Sequence, residues 1–178
     1  MSKKRPDPSE LDELDHFARI AALETTNAHL ASKVAELSFL SSAASKLCAT
    51  LDRDEIARIV VEYAGVAVDD RSRPRFFVVR SGKTPAIAGA AAMEAAEAER
   101  IVASHAGEYE RCMRLGEAAD VGMHLVVPVP GDRHEAAVGA IAVEGGHALF
   151  GRTAVRRLVK LAELGGRSFV NARRARRA

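Results

Sequence analysis

The strongest hydrophobic pattern in the chain is a heptad repeat over residues 20–44. With the first heptad position at Ile20, apolar side chains fill nearly every first and fourth position. The first positions are Ile20, Asn27, Val34 and Ser41, and the fourth positions are Leu23, Leu30, Leu37 and Ala44. β-Branched residues at the first position with leucine at the fourth favour two parallel strands. The pattern predicts a helix over 10–48 that forms a parallel coiled coil with a second copy of the chain.

Polar residues within this repeat bear on its register and orientation. Asn27 occupies a first position, where a buried amide is satisfied only opposite its twin and so penalises other registers and oligomers. Arg19 and Glu24 occupy flanking positions five residues apart, which a parallel partner brings together across the seam. The alternative is a long amphipathic helix that lies on its own domain, because that arrangement shows similar spacing.

A second helix is predicted directly after Asp52. Asp52 with Glu55 three residues later is an aspartate variant of the capping box, in which each side chain satisfies a backbone donor at the helix start. Apolar residues then follow at helical spacing, at Ile56, Ile59, Val60, Tyr63 and Ala67. The spacing predicts a helix that packs inward.

The middle of the chain alternates between strand and helix patterns. Residues 75–80 read as a strand, and a turn at 81–83 leads into a weaker strand at 86–88. The alanine-rich stretch 90–105 predicts a helix that Gly107 ends, and 109–115 reads as a short strand.

The last third of the chain predicts a hairpin followed by a helix. Strands at 123–129 and 136–143 flank a turn at 130–132, so they form an antiparallel pair near the centre of the sheet. A helix from Thr153 onward is apolar on more than one side, which predicts two packing neighbours. Gly165 and Gly166 lie inside it, where close backbone approach offsets their poor helix propensity.

Composition indicates one domain with an extension, large enough to bury a core without disulfides or metal. The 178 residues include 26 basic and 24 acidic side chains, for a net charge of +2. Nine basic residues and one acidic residue follow Leu149, so the basic character is terminal. Arg173, Arg174, Arg176 and Arg177 form a basic tail that suits a phosphate backbone or an acidic membrane surface. The alternative is a solvated helix end whose cations oppose the helix dipole.

Several function classes find no support in the sequence. Cys48 and Cys112 are widely spaced, and Pro6 stands where a secretory signal needs apolar residues, so a cytoplasmic protein with reduced thiols is expected. No apolar run is long enough for a membrane span. The histidines lack metal-ligand spacing, and no local nucleophile motif is present, so we expect no metal, no cofactor and no enzymatic activity.

The order of elements resembles a GAF domain over roughly residues 40–171. The most specific pieces are the Val127-Pro128-Val129 strand, the strand from Val138 to Val143, and Phe150 just ahead of the final helix. The resemblance implies an α+β fold: an antiparallel sheet with helices on its faces, here preceded by the long coiled-coil helix. It also implies a small-molecule pocket under a helical crossover, and dimerisation through the first and last helices.

The ligand-specific marks of the GAF family are mostly missing. Glu144-Gly145 and Thr153-Ala154 stand where cyclic-nucleotide-binding members carry Asn-Lys and Asp-Glu. Cys112 is followed by Met113, whereas bilin-binding members commonly have histidine there. A single cysteine in the pocket region does not supply the disulfide that methionine sulfoxide reduction requires. These departures leave the ligand open.

Residues in the crossover and the strands beneath it are the candidates for ligand contact. They are His105, Arg111, Cys112, Arg114 and His124. The two arginines favour an anionic ligand if they point inward. The domain plan is a disordered tail at 1–9, a dimerisation helix at 10–48, a GAF-like domain at 49–171 and the basic tail at 172–178.

Two functions follow from this plan. One is a dimeric, non-enzymatic regulatory or sensory module that binds a small ligand and acts on a separate signalling or effector protein. The other is a degenerate scaffold that serves only dimerisation and protein–protein interaction. Sequence-specific nucleic-acid binding has no support, because no helix-turn-helix is present.

Overall fold

A computed structural model describes residues 8–81, 84–132 and 136–176, with side chains from residue 16 onward and without those of Ser81 and Thr84. The elements in chain order are α1 (Pro8–Cys48), α2 (Arg53–Ala67), β1 (Arg75–Ser81), β2 (Thr84–Ala91), α3 (Ala95–Ser104), α4 (Ala106–Leu115), β3 (Ala119–Val121), β4 (His124–Val129), β5 (Gly139–Glu144) and α5 (Arg152–Ala175). Two compact units divide after Ser38. The predicted tail lies outside the described residues up to position 7, and α1 begins at Pro8.

The five described strands form one antiparallel sheet in the order β2-β1-β5-β4-β3. The predicted hairpin of β4 and β5 is confirmed, with β5 at the centre. Gly139 permits the pairing of β5 with β1, because an added Cβ would lie 2.2 Å from the Val78 carbonyl oxygen. Pro128 lies beyond the three residues of β4 that pair with β3, so its missing amide donor breaks no hydrogen bond to β3.

Helices α2 and α5 cover one face of the sheet and form the larger core. Phe77 of β1 stacks on Phe169 of α5, with ring centroids 5.3 Å apart. Gly165 lets α5 approach α2, because a Cβ there would lie 2.9 Å from Cγ2 of Val60. The predicted two-sided packing of the last helix is therefore confirmed, with α2 and the sheet as its neighbours.

The last turns of α1 pack on α2. The Phe39 and Tyr63 rings lie 5.9 Å apart, and the Ser42 and Tyr63 hydroxyl groups share a hydrogen bond of 2.7 Å. Ala43 and Leu47 are buried on the same side of the helix. The end of α1 thus belongs to the second unit.

The predicted cap of α2 forms in part. The Asp52 carboxylate accepts hydrogen bonds from the amides of Asp54 and Glu55, both at 2.9 Å. The predicted reciprocal bond, from the Asp52 amide to the Glu55 carboxylate, is not formed, so that part of the prediction is wrong. The Asp52 amide donates to Thr50 Oγ1 instead, and the Glu55 carboxylate accepts two hydrogen bonds from Arg58, at 2.6 and 2.9 Å. A guanidinium one turn away competes for the carboxylate because a charge-assisted bond is stronger than one to a neutral amide.

The crossover between β2 and β3 departs most from the sequence prediction. The predicted helix at 90–105 starts later, since β2 continues to Ala91 and Ala92 adopts a positive φ of 59°. The predicted strand at 109–115 is wrong, because these residues belong to α4. Gly107 lies within α4 instead of ending a helix, and the break between α3 and α4 falls at His105. Three buried residues at helical spacing, Tyr109, Cys112 and Met113, and the helix-forming Glu, Arg and Leu side chains among them fit a helix better than a strand.

Candidate functional site

The crossover helices α3 and α4 pack on the sheet face opposite α2 and α5. We call the residues between them and the sheet the crossover layer. It comprises Phe76, Val78, Ala98, Val102, Tyr109, Cys112, Met113, Val121, Val126, Ala137, Ala140 and Ala142, all buried, with His124 beside them. Large aromatic side chains and methionine fill the space above the small residues of β5. The layer is a packed core.

Tyr109 is the most unusual member of the crossover layer. Its side chain is fully buried, and its ring centroid lies 6.3 Å from that of Phe76. Among the residues that the structure describes, no group hydrogen-bonds its hydroxyl. Burial raises the pKa of Tyr109, which keeps the hydroxyl protonated. A buried hydroxyl without a hydrogen-bonding partner lowers the stability of the folded state.

His124 contributes a second polar group at the edge of the crossover layer. Its ring meets that of Phe76 edge-on, at 5.4 Å between centroids, and only 5% of the residue is exposed. Burial lowers the pKa of His124, while the nearby Glu144 carboxylate opposes that effect. The neutral imidazole is therefore favoured in the folded protein.

Cys112 contributes a thiol that is held in its protonated form. Its Sγ atom lies 3.1 Å from the Glu117 carbonyl oxygen, which accepts the S–H proton. Burial raises the pKa of Cys112 to about 11. A thiol in that state is a poor nucleophile and a poor metal ligand.

The other predicted ligand contacts lie outside the crossover layer. Arg111 and Arg114 are exposed on α4, and the His105 ring is partly exposed, with its Nδ1 3.3 Å from Glu108 Oε1. The structure thus brings only Cys112 and His124 of the five candidates into the layer. Sequence reasoning missed Tyr109, although its helical spacing to Cys112 pointed to a shared buried face.

The basic tail continues α5. Arg173 and Arg174 belong to its last turn, and Arg174 forms an ion pair with Asp132. Arg176 caps the helix, and Arg177 lies outside the described residues. These cations lie where the helix dipole is negative, as the solvated-end alternative requires.

The predicted coiled-coil seam is exposed. Side chains at its first and fourth positions are between 40% and 65% exposed in the single chain: Ile20, Leu23, Leu30, Val34 and Leu37. The apolar surface that these residues present is far longer than the isolated exposed residues common on monomers.

The described residues provide neither a metal-binding group nor a membrane-spanning helix. They contain no group of three His, Cys, Asp or Glu side chains placed to hold a metal ion. None of their helices combines the length and the apolar character needed to cross a membrane.

Solved structures identify the fold. The GAF domain of a protein assigned as a sensor histidine kinase in Pseudomonas syringae pv. tomato superposes with a TM-score of 0.59 at 14% identity, over 85% of this chain and 96% of that one. The GAF domain of an Acinetobacter phosphoenolpyruvate-protein phosphotransferase gives 0.54 at 15% identity, over 78% and 94%. The GAF domain of the Escherichia coli potassium sensor histidine kinase KdpD gives 0.54 at 13% identity, over 78% and 96%.

The chain has a GAF fold. No protein-family model and no curated protein matches its sequence. The crossover layer of this GAF fold occupies the place where the sequence resemblance predicted a pocket, and side chains fill most of it. A cavity of about 280 Å³ remains between α4 and β3, and Arg111 and Cys112 both line it.

Proposed function

We propose that this chain is a dimeric regulatory GAF module that acts on a separate signalling protein. Two copies pair through a parallel coiled coil of α1. The similar GAF domains of sensor histidine kinases and of a phosphotransferase support a signalling role. The exposed seam of α1 supports the dimer.

The observation that carries the proposal is that α1 has two apolar faces with different uses. Phe39, Ala43 and Leu47 are buried against the second unit, four residues apart along one face. Ser41 continues the first heptad position and is exposed, on the other side of the helix from Phe39. The seam is therefore a separate surface from the one that holds the end of α1 to its own domain. This separation argues against the alternative in which the seam serves internal packing.

Disulfide trapping tests the parallel, in-register pairing. In a Cys48→Ser background, Leu23→Cys places a thiol at a fourth heptad position, where two copies approach closely. Oxidation should link most of the protein into a covalent dimer on a non-reducing gel. Ala22→Cys, one residue away on the outer face, is the matched control and should stay monomeric. Equal linking of both variants would contradict the proposed seam.

Ligand sensing is the second candidate function, and the unpartnered Tyr109 hydroxyl favours it. A small ligand that reaches this hydroxyl would carry groups that accept or donate hydrogen bonds. The dense packing of the crossover layer favours the scaffold alternative, because a ligand must displace side chains to enter. The choice between the two therefore depends on whether any small molecule binds there.

Thermal shift with a broad metabolite panel distinguishes these candidates. A ligand at a hundredfold excess over its dissociation constant stabilises the folded state by about 2.7 kcal/mol. Loss of that shift in Tyr109→Phe, with retention in Arg111→Ala, would place the ligand in the crossover layer. If no compound in the panel raises the melting temperature, ligand sensing is contradicted and the scaffold function remains.

A further inference from the structure

A groove lined by arginines lies beside the last turns of α5. We propose that this groove binds a small polyphosphate-type anion. It has two adjoining lobes of about 350 Å³ and 320 Å³ that share Arg53, Arg80 and Phe169. Each lobe falls within the range of small-molecule sites.

Three elements far apart in sequence bring cations to this arginine groove. Arg53 begins α2, Arg80 lies near the end of β1, and Arg173 and Arg176 come from the end of α5. Backbone pairing fixes one wall, since the Arg80 amide donates to the Val138 carbonyl at 3.0 Å. Four arginines from three elements therefore line the two lobes of the groove.

Phe169 forms the floor between the two lobes. Its ring stacks on Phe77 at an interplanar angle of 5°, and the Arg53 guanidinium carbon lies 5.9 Å from its centroid. The ring is anchored in the core and carries a cation on its open side. Arg53 is thereby positioned by stacking while its N–H donors stay available to an anion.

Few carboxylates oppose this charge. Within the described part of the chain, neither Arg53 nor Arg80 has an ion-pair partner, although Asp54 lines one lobe. Asp52 also lies near the groove: hydrogen bonds from the Glu55 and Asp54 amides lower its pKa, with a smaller contribution from the Arg176 cation. Its carboxylate therefore offsets part of the charge of Arg176. The positive charge available to an anion therefore comes chiefly from Arg53 and Arg80.

The chemistry of the donors selects the ligand class. Guanidinium groups bind phosphate oxygens bidentately, and several of them around a cleft suit an anion with more than one phosphoryl group. Alanine residues on both walls leave room for such a group: Ala86, Ala88, Ala136 and Ala137. An anion bound here would join the ends of α2, β1 and α5.

Isothermal titration of the full chain with tripolyphosphate tests this proposal. We expect binding that weakens at least tenfold in the Arg53→Gln/Arg80→Gln double variant. The matched control, Arg111→Gln/Arg114→Gln, removes the same charge from exposed positions on α4 and should change the dissociation constant less than twofold. Equal weakening in both variants would overturn the proposal, because it would reveal general charge attraction only.

A second variant tests the arginine groove without altering any arginine. Ala136→Glu adds a carboxylate to the groove wall, at an exposed position where folding is unaffected. It should weaken tripolyphosphate binding at least tenfold, whereas Ala96→Glu on the exposed face of α3 should not. Absence of binding to the unaltered chain, or tighter binding of citrate than of tripolyphosphate, would overturn the phosphate assignment. Preference for a 20-nucleotide single strand at equal phosphate concentration would overturn it in favour of nucleic acid.

Discussion

Gly166 of α5 lies directly against the backbone carbonyl of Pro130. A Cβ at this position would lie 2.2 Å from the Pro130 oxygen, so no side chain fits between the helix and the turn that follows β4. The close approach that the sequence predicts for the paired glycines of α5 is thus confirmed, with a different neighbour for each. Gly165 faces α2, and Gly166 faces the β4–β5 connection.

Gly166→Ala should destabilise the protein. The added methyl group meets backbone, which relaxes poorly, so a loss of about 1–3 kcal/mol is expected from overpacking. Gly107→Ala is the matched control, because no atom lies within 4 Å of its added Cβ on α4. That control should gain about 0.5–1 kcal/mol from better helix propensity. Urea denaturation measures both changes, and a stable Gly166→Ala protein would contradict the described contact.

His124 should make stability depend on pH. Burial lowers its pKa, so the unfolded chain binds a proton more readily than the folded chain. The stabilisation by neutral His124 is therefore complete above the unfolded-state value of 6.5 and is lost as the pH falls toward the lower folded-state pKa. His124→Gln should flatten the fall in melting temperature between pH 7 and pH 5. An identical pH profile in both proteins would show that His124 is not the responsible group.

The two cysteines should differ sharply in reactivity. Cys48 is exposed at the end of α1, whereas burial raises the pKa of Cys112 to about 11. Iodoacetamide at pH 8 should therefore alkylate Cys48 and spare Cys112 in the folded protein. Peptide mass spectrometry reports both sites, and denaturant should make Cys112 reactive as a positive control. Rapid alkylation of Cys112 without denaturant would show that the crossover layer opens.

Asn27→Leu should raise stability and loosen specificity. An apolar side chain at this first heptad position removes the buried amide that penalises other oligomers. Light scattering should then show species larger than a dimer alongside the dimer. A variant that stays entirely dimeric would show that Asn27 does not select the dimer over other oligomers.

The elements with strong local signals are the ones that the sequence predicts well. The Asp52 cap, the apolar run of β1 and the long apolar face of α5 each have a pattern within a few residues. The crossover is predicted poorly because α4 spans only ten residues, too few for the helical spacing of Tyr109, Cys112 and Met113 to stand out in the sequence. Short segments of this kind are decided by tertiary packing.

The candidate site was harder to predict than the fold. Residue types such as Arg111 and Arg114 suggest an anion site, but only three-dimensional packing decides that they are exposed. The burial of Tyr109 depends on packing against Phe76, which is remote in the chain. The arginine groove joins residues from α2, β1 and α5, and no local motif signals such a meeting.

The dimer is the central claim, and sedimentation of a seam variant tests it most directly. At micromolar concentration the unaltered chain should sediment with twice its mass of 19.0 kDa. Leu30→Glu/Leu37→Glu places unpaired charges in the apolar interface and should give a monomer. Ala28→Glu/Ala35→Glu, at exposed positions on the outer face of α1, should stay dimeric. A dimer that persists in the Leu30→Glu/Leu37→Glu variant would contradict the account and place the interface elsewhere.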